Sequence, residues 1–167
     1  EALGVPHVAH ALDQMIALDY LIANEDRHLN NFGLLRNPDT LEWLGPAPIY
    51  DSGSSLGYDK VTAQIRSGRN IICKPFKKSH QDQLRLVTSF DWLDLSKLQG
   101  IDRDIREVFK GAEEFIDKER VEAIITSVNQ RIQTLMTFVL TQQPQMDCTA
   151  DDVEENVAAE YGMNQQL

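Results

Sequence analysis

The chain has 167 residues, 42% of them hydrophobic and 25% charged, with a formal net charge of −10 at pH 7. That length suits one domain, or one lobe of something larger, with a core of its own, and the composition is that of a folded globular chain. So acidic a surface argues against nucleic-acid binding, and the lack of any apolar run of about 18 residues argues against a membrane span. With no leader pattern visible, the expectation is a cytoplasmic protein. Cys73 and Cys148 lie far apart with no C-x-x-C, which argues against zinc or a disulfide framework, though a single bridge between them stays open.

In chain order, Gly4 and Pro6 mark an entry segment, and the pattern from His7 to Ala23 predicts a helix buried almost all round. Asp19 falls inside its apolar run, where a carboxylate needs a partner; Arg27 or a nearby loop amide is expected to supply it. Asn24 to Asn31 is a polar loop rich in turn-forming residues. Phe32–Arg36 and Leu41–Leu44, separated by Asn37-Pro38-Asp39, predict a short hairpin. Gly45-Pro46-Ala47-Pro48 is expected to break the ladder and lead extended into Ile49-Tyr50-Asp51.

Residues 52–70 read as a loop, and Asn70–Phe76 as either a short strand or an extended connection. Ser79 is expected to cap a helix reaching Val87, with Asp82 in its acidic first turn. Phe90–Leu98 supplies packing residues, and Asp102–Phe109 a short helix ended by Gly111. Asp117–Thr141 is the clearest helix, with Val121, Ile124, Ile125, Val128, Ile132, Leu135 and Val139 on one stripe and Pro144 beyond it. No Lys or Arg follows Arg131, so residues 144–167 read as an acidic tail, with a weak helix over Val153–Tyr161.

Three residues in the first third carry chemistry: Asp26, Asn31 five residues on, and Asp51 before Ser-Gly. Phosphoryl transfer needs a carboxylate to orient and deprotonate a hydroxyl, and an amide and a second carboxylate to hold Mg²⁺ on ATP. Asp26 is the candidate base; Asn31 and Asp51 are the candidate ligands of Mg²⁺ and, through it, of ATP. His28 either meets negative charge on the transferring group or shapes the loop. Arg27 is expected to bond within the loop or to Asp19. Each acid also has an ordinary use in a turn, and it is the ordered set that points to catalysis.

The runs N-E-D-R-H-L-N-N-F-G-L-L and A-P-I-Y-D-S-G-S-S-L resemble the HipA-like serine/threonine kinases of bacteria, most densely over residues 12–56. The resemblance implies an α+β, mainly α fold: a protein-kinase-like C-terminal lobe over 1–143, with its hairpin near the catalytic loop and residues 52–70 as activation segment. It further implies ATP- and Mg²⁺-dependent phosphorylation of a protein Ser or Thr, and raises an antitoxin as a candidate partner. Phosphatidylinositol kinases also carry D-R-H-x-x-N, so a lipid or small-molecule phosphotransferase is an alternative, disfavoured by the lack of a basic membrane-facing patch. A non-catalytic interaction module is another.

No glycine-rich loop and no lysine precede Asp26. Lys74, Lys77 and Lys78 come after Asp51, the wrong order for the cation that usually holds the ATP phosphates. The expectation is a lobe whose N-terminal counterpart is supplied in cis or in trans, with weak or no turnover in isolation.

Overall fold

The computed structural model describes residues 4–68 and 71–142. It is a mainly helical α+β structure: α1 (Val8–Leu21), a hairpin of β1 (Leu34–Arg36) and β2 (Trp43–Pro46), then α2 (Thr62–Ser67), α3 (His80–Leu84), a 3₁₀ turn at Leu95–Leu98, α4 (Ile101–Phe109) and α5 (Lys118–Gln142). The acidic stretch 144–167 and the weak helix expected at Val153–Tyr161 lie outside the described residues.

The spine is α5. Asp117 Oδ1 accepts the Arg120 N–H at 2.7 Å, satisfying one of the donors a helix start leaves free. Its apolar stripe then serves two clusters. Leu135 and Val139 pack with Met15, Ile16 and Tyr20 of α1 and Leu84 of α3. Ala123, Ile124, Val128 and Ile132 pack with Ile65 of α2, flanked by Ile101, Ile105 and Phe109 of α4. Each Val, Leu, Ile or Met side chain among them contributes about 1.5–3 kcal/mol when taken from water, so α5 clamps α1 and α2 on one rigid support.

In the hairpin, Asn37 Oδ1 accepts the N–H groups of Asp39 and Thr40 at 2.9 and 3.1 Å, closing the turn the sequence announces. The expectation that Gly45 and Pro46 leave the ladder is corrected: Pro46 pairs with Leu34 and Gly45 with Leu35. Pro46 ends its strand, where a missing N–H is tolerated, and Ala47 N–H continues the bonding to Gly33 O at 2.9 Å.

Two other boundaries differ from expectation. Thr62–Ser67, expected as loop, is helix: Gln64 Oε1 accepts the Val61 N–H at 3.2 Å, and Gly68 closes the far end in the left-handed region at φ +59°. The helix capped by Ser79, whose Oγ accepts from Asp82 N–H at 3.1 Å, ends at Leu84 rather than Val87. Beyond it the chain continues in turns so that Val87 and Phe90 reach the core. Among the described residues no helix is long and apolar enough to cross a membrane.

Candidate functional site

At the end of α1, Asp19 is 1% and Arg27 0% exposed, and they form a two-point pair: Arg27 Nε to Asp19 Oδ2 and Nη2 to Oδ1, both at 2.8 Å. Asn24 Nδ2 donates to the same carboxylate at 2.9 Å, so both expected kinds of partner are present. Arg27 spends its other donors on the Asn31 carbonyl at 3.2 Å, the Tyr50 carbonyl, and Ser52 Oγ at 3.0 Å. A planar guanidinium with fixed donor directions is suited to such a role. It joins the end of α1, the 24–31 loop and the 50–52 segment at one point.

The loop and the later segment run side by side. Ile22 O accepts from Leu56 N–H at 2.7 Å and Ser54 O from Glu25 N–H at 3.0 Å. Tyr50 Oη donates to Asn30 O at 2.6 Å, and Asn31 Nδ2 donates to Asp51 Oδ2 across twenty residues of sequence. The structure therefore brings two of the three predicted residues, Asn31 and Asp51, into direct contact. Asp26 lies between Glu25 and Arg27, both bonded to that segment. Asp51 has φ +53°, a left-handed conformation that Asp tolerates better than most residues and that costs about 1–3 kcal/mol. Its neighbours Tyr50 and Ser52 are held by Arg27, which maintains it.

Asp26 is half-exposed, its N–H held by Asn24 Oδ1 at 3.1 Å. Its carboxylate takes Lys74 Nζ at 2.6 Å. The hydrogen bond and charge of Lys74, with a smaller effect of His28, hold the Asp26 carboxyl below the usual range. His28 Nδ1 accepts from Asn30 N–H at 3.3 Å, a loop-shaping contact that leaves Nε2 as the donor of the neutral ring.

Sequence reasoning set Lys74 aside because it follows Asp51; the fold delivers it to Asp26 all the same. It missed Lys60, whose ammonium meets Glu25 at 3.0 Å beside Asp26, and Arg120 of α5, which donates to the carbonyls of Gly57 at 2.7 Å and Lys60 at 2.6 Å. It also missed Asp13, a second buried acid of α1, which accepts from Thr88 N–H at 2.9 Å and Thr88 Oγ1 at 2.6 Å. No local signal marks these residues, whose partners are 35 to 75 positions away.

The donor set suits Mg²⁺ carried on phosphates, an ion that takes one or two protein ligands and fills its octahedron with phosphate and water. Asn31 Oδ1 at present accepts the His28 N–H at 3.0 Å while its nitrogen faces Asp51; as a ligand it must turn that oxygen to the ion. Among the described residues no group of three His, Cys, Asp or Glu is placed to hold a metal alone. Compared with family models, curated proteins and solved structures, the chain has no match in any of the three. The functional reading therefore rests on the residues themselves.

Proposed function

We propose that this chain is the C-terminal lobe of a HipA-like serine/threonine kinase, transferring phosphate from Mg²⁺–ATP to a protein hydroxyl. The observation that carries the reading is the contact of Asn31 with Asp51, tied by Arg27 to the loop that holds Asp26. An amide and a carboxylate twenty positions apart meet directly, and the backbone on both sides of that contact is held by one buried arginine of the Asp26 loop. Mg²⁺–ATP supplies the phosphoryl group and neutralises its charge. Asp51 and the amide oxygen of Asn31 hold the ion, and Asp26 orients the acceptor hydroxyl and receives its proton. Paired with Lys74, which lowers its pKa further, Asp26 is a weak base, which suits a reaction needing positioning more than early deprotonation. His28 shapes the loop through Asn30 and presents Nε2–H as a further donor to negative charge.

A second lobe, in cis or in trans, brings the cation and lid that grip the ATP phosphates, and the protein substrate docks across the exposed side of the loop. An antitoxin is the partner the HipA-like reading suggests. The test uses the full-length protein with γ-labelled ATP and calorimetric titration of Mg²⁺–nucleotide. Asp26→Asn is expected to bind nucleotide but lose transfer by at least about 10²-fold; Asp51→Asn is expected to lose Mg²⁺-dependent binding. If both variants match the wild type, the reading is wrong. Vigorous transfer by residues 1–167 alone would remove the need for a second lobe.

A further inference from the structure

We propose that Lys74 is a catalytic residue of this site, its ammonium placed to pair with the phosphoryl group in transit; this rests on the kinase reading above. The evidence begins with how its loop is held. Gln83 of α3 is 2% exposed, and its side-chain amide is used twice on one short segment: Nε2 donates to Lys74 O at 2.9 Å and Oε1 accepts from Phe76 N–H at 3.0 Å. Cys73 N–H donates to Lys78 O at 3.1 Å, closing the loop at its base, and the Phe76 ring lies 6.0 Å from that of Phe32, next to the 24–31 loop. A buried amide must be satisfied, and this one is satisfied by fixing the backbone on both sides of Pro75.

What that scaffold presents is a half-exposed ammonium at 2.6 Å from a half-exposed carboxylate. A pair so open to water adds little to stability, which leaves its position, rather than its strength, to be explained. Asp26 is where the acceptor hydroxyl must sit, so a cation on its Oδ1 also lies beside the oxygens of the arriving phosphoryl group. There a fixed positive charge meets negative charge as it develops. In the step, the hydroxyl oxygen forms a bond to the γ-phosphorus, and the bond from that phosphorus to the β–γ bridging oxygen breaks. The bridging electron pair leaves with ADP, and the hydroxyl proton passes to Asp26. Lys74 stays protonated throughout and shifts its pairing from Asp26 to the phosphoryl oxygens as Asp26 is neutralised.

The test compares Mg²⁺–ADP with the Mg²⁺ complex of the β,γ-imido analogue of ATP by calorimetry, and follows transfer from ATP in the full-length protein. Lys74→Met is at the surface and leaves the core intact. It is expected to bind the triphosphate analogue about tenfold more weakly, bind ADP unchanged, and lower kcat about 10²-fold. Lys74→Arg, which keeps the charge but not the compact geometry, is expected to retain the analogue's affinity and part of kcat. A Lys74→Met protein that keeps wild-type preference for the analogue and wild-type kcat overturns the role of Lys74, while the defects of Asp26→Asn and Asp51→Asn leave the kinase reading standing. A wild type showing no Mg²⁺-dependent binding of either nucleotide overturns both.

Discussion

Arg27→Met removes the one side chain joining α1, the 24–31 loop and the Asp51 segment, and its cost follows from the contacts. Asp19, 1% exposed, would keep only Asn24 as a partner; breaking a buried pair from one side costs about 3–5 kcal/mol. The carbonyls of Asn31 and Tyr50 and the hydroxyl of Ser52 also lose their donor, at about 1 kcal/mol each where water can replace part of the loss. A total of about 6–8 kcal/mol is a large share of the about 5–15 kcal/mol that keeps a domain folded. For a chain of this size it lowers Tm by about 12–32 °C. Asp19→Leu combined with Arg27→Met removes the stranded charge and should recover about 3 kcal/mol. It should not recover Mg²⁺–nucleotide binding, because Tyr50 and Ser52 remain untied and Asp51 with them. Urea unfolding of the two single variants and the double variant, with calorimetric binding on each, measures both. A loss below about 1 kcal/mol for Arg27→Met, or a double variant no more stable than the single, would refute the argument.

His80 gives a pH test. Burial, with a smaller push from Arg131, lowers its pKa from 6.5 to about 3, so between those values the unfolded chain binds a proton the native one refuses. Stability is therefore full above pH 6.5 and declines as pH falls toward 3. At pH 5 the loss is about 2 kcal/mol, from about 1.4 kcal/mol per unit, and His80→Leu should remove it. Equal losses between pH 7 and 5 for wild type and variant would exclude His80 as the source. Gly57→Ala tests the seating of α2: Gly57 has φ +67°, and an added Cβ would come within 2.7 Å of Ile65 Cγ1. A destabilisation of about 1–3 kcal/mol in thermal or urea unfolding is expected; an alanine variant as stable as wild type would mean that α2 is not held against this turn.

The elements legible in sequence were those that carry their own signal. The stripe of α5 is read from its spacing, and six of its seven named residues are buried, with Val121 half-buried. Ser79 and the Asn37 turn are read from side chains that bond their own backbone. Asp19 was recognisable because a charge in an apolar run demands a partner, and a nearby Arg was on offer. The six residues of α2 show no comparable pattern. Ile65 is the only one buried, and the helix exists because that residue packs on α5 while Arg120 holds the carbonyls leading into it.

The site divides in the same way. Residue types and spacing set out Asp26 and Asn31 as a group, and the resemblance to HipA-like kinases, more than spacing, added Asp51. That Asn31 touches Asp51, that Arg27 binds both of their loop segments, and that Lys74 arrives at Asp26 from 48 residues away were decided only by the tertiary structure. Long-range placement depends on which buried groups must find partners after the helices have packed, and an order of residues along a chain does not contain that distance.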